Sequence, residues 1–326
     1  MTREKVTLRP LGASELNVSP LGLGCWQFSK RQGWAGKYWS MIGDDEIKEI
    51  VNISIEGGIN WFDTAEIYGN GASEQALARA LRALGKTSDD VIIATKWWPT
   101  FRTARSIART IAARIAALDN YRIDLHQIHQ PFSFSSTRSQ MKEMAKLVET
   151  GKIRYVGVSN FSAKRMRIAH EELAKYGLPL VSNQVVYSLL NRKIETNGVL
   201  ETAKELGISI IAYSPLAQGL LSGKFHDNPA IIKNLSYRKY MPAFSSKGLA
   251  KSRPVIDMLK ELAKKYDATP SQVALNWVMN FKGDMVVAIP GATKIKHAEE
   301  NIGAMNFKLD QEDLNRLDEI SAGYKS

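Results

Sequence analysis

Eight times along this chain a short run of aliphatic and β-branched residues gives way to a stretch with helical spacing. No other feature of the sequence restricts the fold as much. The runs cover residues 21–25, 59–62, 91–95, 123–128, 153–158, 181–185, 208–212 and 285–289. Helical spacing follows over residues 44–56, 72–84, 104–118, 137–149, 163–176 and 198–206. A long connection then leads to helices at about 254–266 and 270–281, with another from about Lys294. Ile47, Ile50, Val51 and Ile55 share one face of the first helix, and Ile107, Ile111, Ile115 and Leu118 share one face of the third. Arg102, Arg105 and Arg109 fall on another face and read as solvated. Ahead of the first strand, residues 6–18 with a turn at Gly12 read as a hairpin.

Alternating βα units build a parallel sheet, either closed as a barrel or open and doubly wound. The count of eight, with no break in composition that would mark a linker, favours a single (β/α)8 barrel domain over residues 1–326. The first strand carries Gly22 and Gly24 but lacks the third glycine of the dinucleotide fingerprint, which speaks against the open sheet. Walker A, HExxH and GxSxG patterns are absent from the sequence.

A barrel of 326 residues buries enough surface to need no disulfide. The lone Cys25 permits neither an internal disulfide nor a cysteine-based zinc site, and no metal is expected. The opening residues lack the apolar core of a signal peptide, and no apolar run reaches membrane-spanning length, so a cytoplasmic protein is expected. The net charge is +11. Between Gly219 and Arg253 lie seven basic residues (Lys224, Lys233, Arg238, Lys239, Lys247, Lys251 and Arg253) against one acid, Asp227. A long cationic connection after strand seven suits a fold over an anionic small molecule. Without a recognisable nucleic-acid module, charge alone does not argue for nucleic acid.

A βα barrel assembles its site from the C-terminal ends of its strands. Strand two runs into Asp63 and Tyr68, strand three into Lys96, and strand four into His129. Each residue type alone at such a place is commonly a cap, a packing group or a solvated charge. Four together on one rim form a set that carbonyl reduction needs. Tyrosine, with a pKa of about 10, is a weak acid unless its phenolate is stabilised. A nearby lysine would pull that pKa down, an aspartate would hold the lysine charged, and a neutral histidine would orient the carbonyl oxygen.

The motifs Gly58-Ile-Asn-Trp-Phe-Asp-Thr-Ala-Glu-Ile-Tyr-Gly69, Thr95-Lys96, Ile128-His-Gln-Pro131 and Gly157-Val-Ser-Asn-Phe161 resemble the aldo-keto reductase superfamily over nearly the whole chain. The resemblance implies an NADPH-dependent oxidoreductase that reduces aldehydes or ketones, with Asp63, Tyr68, Lys96 and His129 as its tetrad and Tyr68 as the acid. It further implies that Ser159, Asn160 and Gln184 bind the nicotinamide carboxamide and that Tyr213 stacks on the ring. Ser214, Leu216 and Lys224 would contact the pyrophosphate, with Arg238 joining them. Gly291, Thr293, Lys294, His297, Glu300 and Asn301 would form the adenosine end. His297 stands where the family usually has Arg or Gln. With Lys294 and Lys296 it suits a 2′-phosphate, so NADP(H) is expected to be preferred and NAD(H) accepted if that site is weak. Trp26, Trp97 and Trp98 are expected at the pocket mouth. The alternative, by the same resemblance, is an NADP(H)-binding regulatory barrel with little turnover, like the potassium-channel β subunits.

Overall fold

The computed structural model describes residues 6–33, 38–39 and 41–326. An antiparallel hairpin, β1 (Arg9–Pro10) and β2 (Asn17–Val18), comes first. Eight parallel strands follow: β3 (Leu23–Gly24), β4 (Trp61–Asp63), β5 (Ile92–Trp97), β6 (Leu125–Ile128), β7 (Tyr155–Ser159), β8 (Leu180–Val186), β9 (Ser209–Tyr213) and β10 (Val286–Ala288). Each pairs with the next in chain order. The ring closes between first and last: Gly22 N–H donates to the Ala288 carbonyl at 2.8 Å, and Ala288 N–H donates to the Pro20 carbonyl at 3.0 Å. This is the (β/α)8 barrel expected from the alternation.

The main helices are α1 (Asp44–Glu56), α2 (Ala72–Ala83), α3 (Arg105–Ala117), α4 (Thr137–Glu149), α5 (Ala163–Ala174), α6 (Val199–Glu205), α7 (Ser246–Lys265) and α8 (Pro270–Asn280) between strands, and α9 (Ile295–Gly303) and α10 (Gln311–Ile320) after the last. Two depart from the sequence reading. Helix α7 begins eight residues before Pro254 and runs through it. Proline removes one backbone donor and favours a helix start, so a sequence reading places the boundary there. Buried Leu249 and Ser252 continue the face of Ile256 and Leu259 backwards, and Ser245 caps the earlier start through Gly248 N–H. Lys247, Lys251 and Arg253 therefore sit on a helix. The preceding connection is a chain of short 3-10 turns with one helical turn, Lys224–Asp227. Helix α10, capped by Asp310 and burying Leu314 and Leu317, was not anticipated.

Alternation along the strands sorts the barrel interior into two layers. The lower is apolar: Trp61, Ala94, Leu125, Val181, Ile211 and Val287 pack together, with Leu11, Leu16 and Val18 of the hairpin closing the floor. Gly12 permits this closure. Its φ is +56°, and a Cβ there would stand 2.2 Å from the Val181 carbonyl oxygen, so any other residue would push the plug outwards. The upper layer, one strand repeat towards the C-terminal ends, is polar: Asp63, Lys96, Gln127, Ser159 and Gln184 are all buried. Polar side chains survive there because they satisfy one another. Among the described residues, no helix is long and apolar enough to cross a membrane.

Candidate active site

The centre of the upper layer is an ion pair. Lys96 is fully buried, with its Nζ donating to Asp63 Oδ1 and, at 2.9 Å, to the Thr64 carbonyl. The second carboxylate oxygen, Oδ2, accepts from Gln184 Nε2 at 2.8 Å and from Gln127 Nε2 at 3.1 Å. A buried charge pair is tolerated only when its remaining hydrogen-bonding capacity is met. Here two amides meet it for Asp63 and a backbone carbonyl helps to meet it for Lys96. Gln127 was not singled out in the sequence. Its signal was strand alternation, which puts it on the same face of its strand as His129.

Tyr68 lies over this pair, with Lys96 Nζ 5.0 Å from its ring centroid. Its ring meets His129 edge-on at 5.6 Å and stacks on Trp26 at 5.8 Å. The Tyr68 hydroxyl makes no hydrogen bond to any described residue. The expectation that lysine lowers the phenol's pKa is corrected here. Burial, reinforced by the negative charge of Asp63, holds it well above its ordinary value. The Lys96 charge is offset by that of Asp63, so its stabilisation of a phenolate does not overcome burial. Burial, followed by the charge of Lys96, holds His129 well below the usual histidine range, which leaves its imidazole neutral. His129 Nδ1 is buried without a hydrogen-bond partner among the described residues.

A second group adjoins the first. Ser159 Oγ donates to the Gln184 carbonyl at 2.8 Å, and Asn160 Nδ2 donates to Ser159 Oγ at 3.1 Å and to the His129 carbonyl at 3.4 Å. Asn160 adopts a left-handed backbone, φ +60°, which asparagine tolerates better than most. Tyr213 Oη donates to Asn160 Oδ1 at 3.1 Å, and burial, with Tyr68 beside it, pushes the Tyr213 phenol up to about 12. Ser214, Ala217 and Gln218 turn the chain with positive φ immediately after, carrying Leu216 past the mouth.

A third group is cationic. Lys224 lies close enough to Arg238, Lys294 and Glu300 to feel their charges; its pKa is lowered first by desolvation, then by the two cations. His297 Nδ1 and Thr293 Oγ1 are 3.1 Å apart. Desolvation and the charges of Lys224, Lys294 and Lys296 pull His297 below its ordinary pKa. Glu300 lies 3.9 Å from Lys296, and Asn301 is buried with Nδ2 unpartnered among the described residues. Gly291 bridges to Gly24 at the barrel seam. Arg238 stacks on Trp39 at 4.9 Å and donates to the Gln218 carbonyl at 2.9 Å. Lys251 and Arg253 turn elsewhere, to the Tyr324 ring and the His226 carbonyl.

Of the three tryptophans expected at the mouth, two lie against the tyrosine and histidine of the site. Trp26 stacks on Tyr68, and Trp98 meets His129 edge-on at 5.2 Å. Trp97 is not: it is 1% exposed in the barrel–helix core and donates from Nε1 to Ser106 Oγ at 3.0 Å. Lys96 points inwards, so its neighbour on the strand must point out.

Two carboxylates brace the rim. Glu66 accepts from Trp98 N–H and from Arg102, both at 2.6 Å, while its own N–H reaches the Lys96 carbonyl at 3.3 Å. Arg102, read as solvated, is thus tied to the site. Glu74 accepts from Thr95 Oγ1 and Arg114 Nη1, both at 2.6 Å, and burial raises its pKa to about 7 against the opposing charge of Arg114. That value lies above the 4.5 of a free glutamate. The folded protein therefore holds a proton at Glu74 that the unfolded chain has lost across this window, and the Glu74 contribution to stability falls as pH rises from about 4.5 to above 7. The Glu74 contribution is on the order of 3 kcal/mol. Urea unfolding at pH 5 and pH 8 should show it, and Glu74→Gln should flatten it; an unchanged slope in the variant would refute the assignment.

A βα barrel with an inward Asp–Lys pair, a tyrosine above it and a histidine beside it defines a class of oxidoreductase. The chain belongs to the aldo/keto reductase family, whose model matches residues 20–322. It is 32% identical to a probable aldo-keto reductase of Glycine max, over 97% of this chain and 89% of that protein. It is 33% identical to a chloroplastic pyridoxal reductase of Arabidopsis thaliana, over 97% and 85%. Among solved structures, a glycerol dehydrogenase of Gluconobacter oxydans superposes with a TM-score of 0.84 at 28% identity, covering 98% of this chain and 96% of that one. An aldo/keto reductase of Klebsiella pneumoniae in complex with NADP and acetate gives 0.73 at 26% identity, over 97% and 95%.

Proposed function

We propose that this protein reduces aldehydes or ketones with NADPH, with Tyr68 as the proton donor. The observation that carries the reading is the buried Lys96–Asp63 pair directly beneath a tyrosine whose hydroxyl is uncommitted. The residues present suit a phosphorylated dinucleotide. Lys224, Lys294, Lys296 and His297 form a cationic group beside the orphaned Asn301 amide, and the polar group of Ser159, Asn160 and Tyr213 adjoins the tetrad. The related Klebsiella protein was solved with NADP, which supports the same choice.

A bound reduced nicotinamide would supply the hydride. The remaining work falls to the chain. Neutral His129 orients the carbonyl oxygen as a donor carrying no charge. Tyr68, held in its protonated form by burial, gives its proton to that oxygen. Lys96 then stabilises the phenolate, an interaction with far more to offer the anion than the neutral ring. Asp63, gripped by Gln127 and Gln184, keeps Lys96 charged and in place. Trp26 and Trp98 wall the reacting carbon with apolar surface, which excludes water and favours uncharged carbonyl groups there.

Fluorescence titration with NADPH and NADH, followed by turnover of 4-nitrobenzaldehyde, tests the reading. Tighter binding of NADPH with steady oxidation is expected. Tight binding with negligible turnover would replace it by the regulatory reading, and binding of neither nucleotide would overturn both. The pKa directions add a pH signature. With His129 titrating below its usual range and Tyr68 above its own, neither should produce a limb between about pH 6.5 and 9. A limb in that window that Tyr68→Phe or His129→Asn removes would contradict this.

A further inference from the structure

A groove of about 620 Å³ lies on the rim between the loops following β5 and β6 and the first turns of α4 and α5. Tyr68, His129, Trp26 and Trp98 do not line it. Three phenylalanines do, all strongly exposed: Phe101 (84%), Phe132 (66%) and Phe134 (72%). The rings of Phe101 and Phe134 stand 6.2 Å apart and are inclined at 54°, too close for a third ring to slide between them, so a planar ligand stacked on one would meet the other at an angle. Contiguous apolar side chains left in water on one concave surface mark a binding site more often than an accident of packing. Phe101 adds strain: its φ is +60°, a region that bulky residues avoid and that clusters at functional sites.

The polar lining has one sign. Lys164 and Arg165 border the groove, and no acidic residue does. Neither cation forms an ion pair with a described residue. By contrast, nearby Arg102, Arg114, Arg138 and Arg167 are all paired. Arg165 uses Nη1 to hold the Pro131 carbonyl at 2.5 Å, which fixes its guanidinium at the groove edge and leaves its other donors available. We propose that this groove binds an aromatic carboxylate, with its ring against Phe101 and Phe134 and its carboxylate between Lys164 and Arg165. An aromatic amine would meet the same rings but face two cations.

The same chemistry has two sources, the acidic far end of a long carbonyl substrate or a separate molecule. Calorimetric titration of the full chain with 2-naphthoate tests the site directly, and 2-naphthylmethylamine serves as the control. Binding of the naphthoate at one site is expected, with the amine far weaker. Phe101→Gly, which also relieves the positive φ, should weaken the naphthoate about tenfold, the loss of roughly one aromatic contact. Lys164→Glu should weaken it comparably, and both exposed substitutions should leave 4-nitrobenzaldehyde turnover unchanged. No binding, equal binding of the amine, or full affinity in both variants would overturn the proposal.

Kinetics then separate the sources. Competitive inhibition by 2-naphthoate, with a lower KM for 6-formyl-2-naphthoate than for 2-naphthaldehyde that both variants abolish, identifies a substrate tail. Binding without competition identifies a separate ligand. The substrate-tail arm rests on the reductase reading; the binding arm needs no turnover, so the two can fail independently.

Discussion

Tyr68→Phe is expected to lower aldehyde reduction by roughly 10²–10⁴-fold, the range for loss of a positioned general acid, while leaving NADPH affinity nearly unchanged. The substitution removes one atom, Oη, which bonds to no described residue. The ring contacts persist, because phenylalanine can still stack on Trp26 and meet His129 edge-on. The fold should therefore survive, and the thermal midpoint should stay close to that of the parent. Steady-state kinetics together with a nucleotide titration separate the outcomes. Retained turnover would show that another group delivers the proton. Loss of nucleotide binding with an intact fold would show that the hydroxyl holds the cofactor.

Lys96→Met should have the largest effect on stability. It leaves Asp63 buried without its cation, a loss of about 3–5 kcal/mol, or a fall in the melting midpoint on the order of 5 °C for a barrel of this size. Gln127 and Gln184 still donate to the carboxylate, which should keep the loss towards the lower end. Adding Asp63→Asn should recover most of the stability and none of the turnover. Chemical denaturation of the parent, the single variant and the double variant at pH 7.5 checks this. A single variant as stable as the parent would mean that the pair does not carry charge in the folded protein.

Much of the site was readable because it is written on strand ends. Asp63, Lys96 and His129 are brought to one rim by β4, β5 and β6, and strand alternation fixes which neighbour faces in. The same rule, applied one residue further, would have sent Trp97 into the helix layer and flagged Gln127 as the partner of Asp63. Other features carried no local signal. Glu66 reads as a solvated acid until the fold sets it against the Trp98 amide and Arg102. Pro254 reads as a helix start because its cost is local, whereas the packing of Leu249 and Ser252 that outweighs it is not.

By itself, the sequence determined the order of strands and helices, the barrel they close, and the residues delivered to its rim. These follow from periodicity and chain order, which short-range sterics and burial enforce. Only the tertiary structure decided the charge states at the centre. The pKa directions of Tyr68, His129 and Glu74 depend on how much water burial removes and which charges lie nearby. For His129 and Glu74 the charged partners, Lys96 and Arg114, lie tens of residues away in the chain. The aromatic groove is of the same kind: Phe101, Phe134 and Lys164 stand on three separate segments, and only their meeting on one rim makes a surface.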